Sequence, residues 1–169
     1  WAARSDGIFR YNPKTGGTKR FYFDPNRKNS IPQKEVYAVY EDKGGKIWFA
    51  TENYLGQITD TENGLFQSVS YNSGPSFSEQ VRPVIFQDVN KQIWLGTKSG
   101  LLRLNEDGST FKVFDNQPER TTTLSNNLIK SICADPLYPE RYLWIGTSGG
   151  LNRLDTKEGT FVNYLEADG

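Results

Sequence analysis

The 169-residue sequence contains no histidine, no methionine and a single cysteine, Cys133. Without histidine there is no Ser-His-Asp or Cys-His nucleophile arrangement, and the common zinc ligand sets are missing as well. One cysteine closes no internal disulfide, so cysteine usage does not fix the redox compartment. Charge of one sign is also absent. The 20 basic and 20 acidic residues give a formal net charge of zero, which leaves no electrostatic footprint for nucleic acid or an anionic membrane. No apolar run approaches the eighteen or so residues that span a bilayer, and no signal peptide is visible. No stretch shows apolar residues at the three-and-four spacing of a helix.

Aromatic residues, at 14% of the chain against 36% hydrophobic overall, are what the sequence has instead. Four of them are tryptophans, Trp1, Trp48, Trp94 and Trp144, at intervals of 47, 46 and 50 residues. Self-similarity at that period is the mark of a repeat architecture. The segments IWFATENYLGQITD from Ile47, IWLGTKSGLLRLNE from Ile93 and LWIGTSGGLNRLDT from Leu143 align on their tryptophans, and WAARSDGIFRYNPK from Trp1 is a divergent copy.

Each repeat reads as four short β-rich runs separated by Gly, Asn and Asp turns. We letter them A to D: A precedes the tryptophan, B carries it, C is the LxRL run and D the FxxF or FxxY run. Four-stranded meanders at this period predict an all-β fold, a β-propeller portion of about four blades. Residues 1–169 form part of one propeller domain, with a partial blade at about 1–23 and complete blades at about 36–71, 81–114 and 128–165. Three strands in the first blade and four in each of the others make fifteen, and propellers close with about four to eight whole blades. The expectation is therefore a portion of a longer polypeptide, with a closed four-bladed ring as the rival. Consecutive apolar residues around each tryptophan predict a strand covered on both faces, with the ring packed between blades. Gly96 and Gly146 would admit a neighbour closely there. Cys133, in the A strand SICAD, is expected as a small buried apolar group.

Acids recur with the repeat: Asp42 and Asp88 before strand B, and Asp60, Glu106 and Asp155 after strand C. Recurrence favours turn-forming acids over the paired carboxylates of a glycosidase. Arg10, Arg103 and Arg153 recur likewise, with Gln57 in the second blade, and are expected to bond carbonyls or turn acids between blades. The residues point to no catalytic group, no metal and no cofactor.

The motifs Trp94-Leu-Gly-Thr97, Gly100-Leu101, Arg103-Leu104 and Thr123-Leu-Ser-Asn-Asn127, with Trp144-Ile-Gly-Thr147, Gly150-Leu151 and Arg153-Leu-Asp155, resemble the two-component regulator propeller repeat over essentially the whole chain. In that family such repeats build the periplasmic sensor region of membrane-spanning hybrid histidine kinases, often two propellers followed by a smaller β-sandwich. The resemblance implies a periplasmic, non-enzymatic sensor portion. It would detect polysaccharide-derived oligosaccharides and signal to a cytoplasmic kinase that lies outside this chain. A carbohydrate-active propeller hydrolase or lyase and a protein-interaction scaffold are the alternatives.

The repeats differ from one another where a site would be grafted onto them. Tyr54 stands where the other blades have Gly7, Gly100 and Gly150, and Arg4 where they have Thr51, Thr97 and Thr147. These positions flank the B-to-C loops, on the rim shared with the D-to-A links. Sugar faces stack on exposed aromatics and hydroxyls bond Asn, Glu and Arg, so Arg4, Asp6, Glu52, Asn53, Tyr54 and Lys98 form the candidate ligand surface, with Phe77 as a further aromatic anchor. Ordinary surface variation is the competing reading. The expected partners are an oligosaccharide, the remaining blades and domains of a longer protein, and a second copy through open blade flanks. No nucleic acid and no membrane segment are expected.

Overall fold

The computed structural model describes residues 1–27, 30–71 and 82–165. The chain divides into two compact units, Trp1–Asn72 and Ser73–Gly169. In the first, β1 (Ala2–Arg4), β2 (Gly7–Tyr11) and β3 (Thr18–Phe21) form a three-stranded sheet. It is followed by the sheet of β4 (Ala38–Glu41), β5 (Ile47–Ala50), β6 (Tyr54–Asp60) and β7 (Leu65–Ser70). The second unit holds β8 (Val84–Gln87), β9 (Ile93–Thr97), β10 (Gly100–Leu104) and β11 (Phe111–Phe114), then β12 (Ile129–Ala134), β13 (Tyr142–Thr147), β14 (Gly150–Asp155) and β15 (Thr160–Tyr164). Each strand pairs antiparallel with the next in its sheet, so the predicted meanders are present and the protein is all-β.

The C–D turns of the second and fourth sheets are closed by the recurring acids. Asp60 Oδ1 accepts the amides of Glu62 and Asn63 at 2.8 and 2.9 Å, and Asp155 Oδ1 accepts those of Lys157 and Glu158 at 3.0 and 3.1 Å. In the third sheet the turn is held by Asn105 and Asp107, not by Glu106: Asn105 Nδ2 donates to Thr110 Oγ1 and Asp107 accepts from Ser109. The acids before strand B do more than shape a turn. Trp48 Nε1 donates to Asp42 Oδ2, Trp94 Nε1 to Asp88 Oδ2 and Trp144 Nε1 to Asp135 Oδ2, each at 2.9 Å. The second oxygen of each acid takes turn amides: Gly44 and Lys46 for Asp42, Gln92 for Asp88, Leu137 and Tyr138 for Asp135. All three carboxylates are buried. Burial alone would raise the Asp42 and Asp135 pKa values, but the bonds from tryptophan and the turn amides outweigh it and hold both below 3.8.

The cores sit between sheets within each unit. In the first, Ile8 and Phe21 pack with Ile31 and Val36 of the connecting link and with Ile47, Phe49 and Ile58. In the second, Trp94, Leu101 and Phe114 of the third sheet meet Leu124 of the link and Ile129, Ile132, Leu143, Ile145, Leu154 and Phe161. A Cβ on Gly96 would lie 2.5 Å from Ile129 Cγ2, so glycine there is what admits the fourth sheet. At Gly146 the approach comes from within the sheet, where a Cβ would collide with Ser131 Oγ.

Three expectations need correction. Only Trp94 is fully enclosed, at 0% exposure; Trp48 and Trp144 are half-buried and Trp1 is 38% exposed. Trp94 is enclosed where the fourth sheet packs on the third, whereas Trp1 stays exposed although the second sheet packs on the first. Cys133 is exposed, because it follows the buried Ile132 and successive strand residues face opposite ways. Of the arginines, Arg10 does reach a turn acid, Glu62 of the second sheet, at 2.8 Å. Arg103 and Arg153 instead hold their guanidinium carbons 5.8 and 5.9 Å from the tryptophan ring of their own sheet.

Replacing Trp94 by alanine is expected to cost about 3–5 kcal/mol in denaturant unfolding. Trp94→Phe keeps the ring but leaves Asp88 short of one donor, at about 1–3 kcal/mol. Trp144→Ala should cost clearly less than Trp94→Ala; an equal loss would show that enclosure by a second sheet is not what the tryptophan contributes. Acid titration tests the staple separately. Asp42, Asp135 and Asp155 have folded pKa values below their ordinary 3.8. Their contribution is complete above that value and is lost as pH falls through the lower folded values. The melting temperature should therefore be flat from about pH 8 to pH 5 and drop below about pH 4; a decline beginning near neutrality would contradict this account.

Candidate functional site

At the end of each sheet that carries the links, strands B and C are joined by a tight loop whose threonine is consumed by the loop itself. Thr97 Oγ1 donates to Gly100 O at 2.9 Å and accepts the Ser99 amide at 3.0 Å; Thr147 does the same with Gly150 O and the Gly149 amide, at 3.0 and 3.1 Å. Strand C then opens on a glycine with positive φ: +133° at Gly7, +128° at Gly100 and +119° at Gly150. A Cβ there would strike the carbonyl oxygen of Phe21, Phe114 or Tyr164, where strand D leaves the sheet.

The second sheet departs from this. Tyr54 takes the glycine position without positive φ, and the C–D ladder runs on through Tyr54 opposite Ser70, with the Tyr71 amide donating to Asn53 O at 2.8 Å. Tyr71 is buried, and its hydroxyl donates to Thr51 O at 2.6 Å; burial, then the nearby Glu52 charge, raises its pKa. The link closes the loop from the other side. Gln33 Oε1 accepts from Thr51 Oγ1 at 2.6 Å and from the Asn53 amide at 3.1 Å. Glu52, Asn53 and Tyr54 are thus held half-buried on a loop anchored by Gln33 and Tyr71.

In the first sheet, Arg4 replaces the loop threonine, and its guanidinium lies 5.0 Å from the Phe9 ring centre. Its Nε is 3.8 Å from Asp6 Oδ1, beyond hydrogen-bond distance, and that oxygen is covered with no hydrogen bond among the described residues. Arg20 Nη2 pairs with Asp6 Oδ2 at 2.9 Å, and the Arg20 guanidinium stands 5.6 Å from both Phe9 and Tyr22. Phe9, Arg20 and Tyr22 are absent from the sequence-based set. The signal was the strand register, since Phe9 and Arg20 are direct partners beside Ala2 and so share a face.

Backbone bonds join these two groups. The Val36 amide donates to Arg4 O at 3.1 Å and the Tyr37 amide to Ala50 O at 2.8 Å, so consecutive link residues tie the end of β1 to the end of β5. Tyr37 also donates its hydroxyl to Glu35 Oε2 at 2.7 Å, which adds two polar groups to the same end. Arg4, Asp6, Glu52, Asn53 and Tyr54 therefore belong to one end of the first unit. Lys98 lies on the β9–β10 loop of the second unit, and Phe77 falls outside the described residues.

Where a carboxyl departs from its usual range it departs downward, as at Asp42, Asp60, Glu62, Asp107, Asp135 and Asp155, opposite to the raised value a general acid needs. No cluster of three metal-ligating side chains occurs among the described residues. A cleft of about 190 Å³ in the first unit, lined by Lys19, Tyr22, Asp24, Arg27, Glu62 and Asn63, lies apart from the sequence-based set. Arg27 Nη2 donates to Asn63 O at 2.5 Å and Lys19 pairs with Glu62 at 3.6 Å, so its polar groups already bond one another.

Residues 30–53 match the family model of the two component regulator propeller. Histidine kinase P4 of Formosa agariphila is 37% identical over 95 residues, which cover 52% of this chain and 7% of that protein. The extracellular domain of the hybrid two component system BT3049 from B. thetaiotaomicron superposes with a TM-score of 0.60 at 27% identity, over 78% of this chain and 18% of that one. That of BT4673 does so at 0.68 and 21%, over 97% and 20%. Virginiamycin B lyase of Staphylococcus aureus shares the fold at 0.64 and 20% identity, over 95% of this chain and 49% of the lyase. The chain thus spans 7–20% of the length of the kinase and the two extracellular domains and about half of the lyase. With the family model matching the link and first two strands of the second sheet and its motif recurring at Trp94 and Trp144, this chain has the β-propeller fold and carries the two-component regulator propeller repeat at residues 30–53.

Proposed function

We propose that this chain is a ligand-sensing propeller portion of a hybrid two-component sensor histidine kinase, placed outside the cytoplasm, that binds a polysaccharide-derived oligosaccharide without transforming it. The observation that carries the reading is the overlap of family match and variable rim. The matched residues 30–53 contain Gln33, Glu35, Tyr37, Glu52 and Asn53, and the B-to-C loop they end on is the one whose glycine is replaced, by Tyr54. Likeness to the extracellular domain of BT3049 and to a histidine kinase supports the sensor context. Tyrosine rings, carboxylates, an amide and a guanidinium at one end of the unit suit sugar hydroxyls and ring faces. The kinase step and its relay belong to segments outside these residues.

The enzyme alternative rests on the propeller lyases, and their likeness at 20% identity extends to the fold. A histidine-to-alanine form of virginiamycin B lyase is catalytically inactive, whereas this chain has no histidine.

Calorimetric titration of the sensor region containing this chain, against purified plant, host and microbial oligosaccharides, tests the proposal. Saturable binding of one class without cleavage is expected. Tyr54→Gly and Arg4→Thr, which restore the residues of the other sheets, should each weaken it by about tenfold, or about 1.4 kcal/mol. Cleavage of any member would establish the enzyme alternative. Silence across the panel would favour a protein partner, and unaltered binding by both variants would move the site off this rim.

A further inference from the structure

The formal charge of zero conceals an uneven distribution. Residues 1–27, the first sheet and the start of its link, hold Arg4, Arg10, Lys14, Lys19, Arg20 and Arg27 against Asp6 and Asp24, an excess of positive charge that the rest of the chain balances. Most of these cations are engaged. Arg10 and Lys19 meet Glu62 at 2.8 and 3.6 Å, Arg27 bonds the Asn63 carbonyl, and Arg20 pairs with Asp6 Oδ2 at 2.9 Å. Arg4 is different. Its side chain is 63% exposed, its Nε stands 3.8 Å from Asp6 Oδ1, and its guanidinium makes no hydrogen bond among the described residues.

The surroundings prepare that guanidinium for an anion. It sits at the end of β1, where the third and fourth sheets have Thr97 and Thr147, each consumed by its own loop. The Phe9 ring centre lies 5.0 Å from Arg4 and 5.6 Å from the Arg20 guanidinium. A ring beside a guanidinium holds it in place without using its N–H donors, and the free fork matches the paired oxygens of a carboxylate or a sulfate. Asp6 is one carboxylate against two guanidinium groups, so this corner keeps a positive balance. The other acids at this end, Glu35 and Glu52, belong to the link and to the loop of the second sheet. They oppose an anion there and accept hydroxyls instead, so a ligand that suits both sides is acidic at one end and neutral at the other.

We propose that the oligosaccharide taken by this rim is acidic, and that a uronate carboxylate or a sulfate ester on one of its sugars is received by the Arg4 guanidinium, with Arg20 as the second cation. Arg4 has this role only where the rim is a saccharide site, as proposed for the function. What is new is the charge of the ligand and its direction, with the anionic group over the first sheet and the hydroxyl-bearing rings toward Glu52, Asn53 and Tyr54.

Calorimetric titration of the sensor region containing this chain, with matched pairs of probes, tests it: uronic-acid oligosaccharides beside their methyl esters, and sulfated oligosaccharides beside their desulfated forms. The acidic member of one pair should bind, its neutral counterpart about tenfold more weakly, and the difference should shrink as salt is raised. Which pair responds identifies the anion as carboxylate or sulfate. Arg4→Gln should weaken the acidic member by about tenfold and leave the neutral one unchanged. Lys14→Gln, which removes the same charge from the turn at the far end of the sheet, should change neither. Neutral members that bind as well as acidic ones or better, or acidic binding untouched by Arg4→Gln, would overturn the proposal and leave the saccharide reading standing. Equal losses from Arg4→Gln and Lys14→Gln would overturn it too, since they mark diffuse attraction to the sheet. Silence from every probe would overturn both.

Discussion

The hydrogen bond from a tryptophan indole to the aspartate that closes the preceding turn is the constraint on which the rest of each complete sheet depends. It spans strand B and the A–B turn, and because the acid's other oxygen is taken by turn amides, one carboxylate fixes both the hairpin and the rotamer of a large ring. Burying an aspartate would ordinarily be unfavourable. Here every oxygen has a donor, and at Asp42 and Asp135 the charged form is favoured on balance. Once the ring is held, a guanidinium can lie over it and a second sheet can close on its flank, as at Trp94.

Much of this was legible in the sequence, for a physical reason. Tryptophans at near-constant intervals and turns rich in Gly, Asn and Asp report the local period directly, so strand number, strand order and the all-β class follow from pattern alone. What the pattern could not report is which copy of a motif has a neighbour. Trp94 and Trp144 sit in nearly identical strings, yet one is enclosed and the other half-open, because enclosure is a property of the adjoining sheet. Cys133 was misplaced for a related reason. A short strand such as SICAD leaves its phase ambiguous by one residue, and a one-residue shift exchanges the two faces. The tryptophan staple was visible as D-x-x-G-x-x-W in the second repeat but read as a turn, since spacing alone does not reveal an indole donor.

The candidate rim divides along the same line. Where Arg4 departs from the repeat, the repeated threonines Thr97 and Thr147 are structural, each spent on the loop it belongs to. Five of the rim's members gather, since Arg4 and Asp6 adjoin the loop of Glu52, Asn53 and Tyr54 through the amides of Val36 and Tyr37, whereas Lys98 lies on the second unit and Phe77 outside the described residues. The residues that sequence reasoning passed over, Arg20, Tyr22, Gln33 and Tyr71, come from strand D and the links. Their proximity depends on register and on the path of the chain between sheets, neither of which leaves a local signature.

The distribution of charge bears on which side chains are left over for the proposed recognition. A repeated sheet needs its acids ionised, because in that state each can accept two or three donors at a turn or from an indole. The same bonds that stabilise the fold therefore keep these carboxylates from holding a proton near neutral pH, and a hydrolase built from them would first have to dismantle its own turns. A binding function makes no such demand. It can use side chains that the repeat leaves unassigned, such as the tyrosine that displaces a glycine at residue 54 and the arginine that displaces a threonine at residue 4, while the frame beneath them is unchanged.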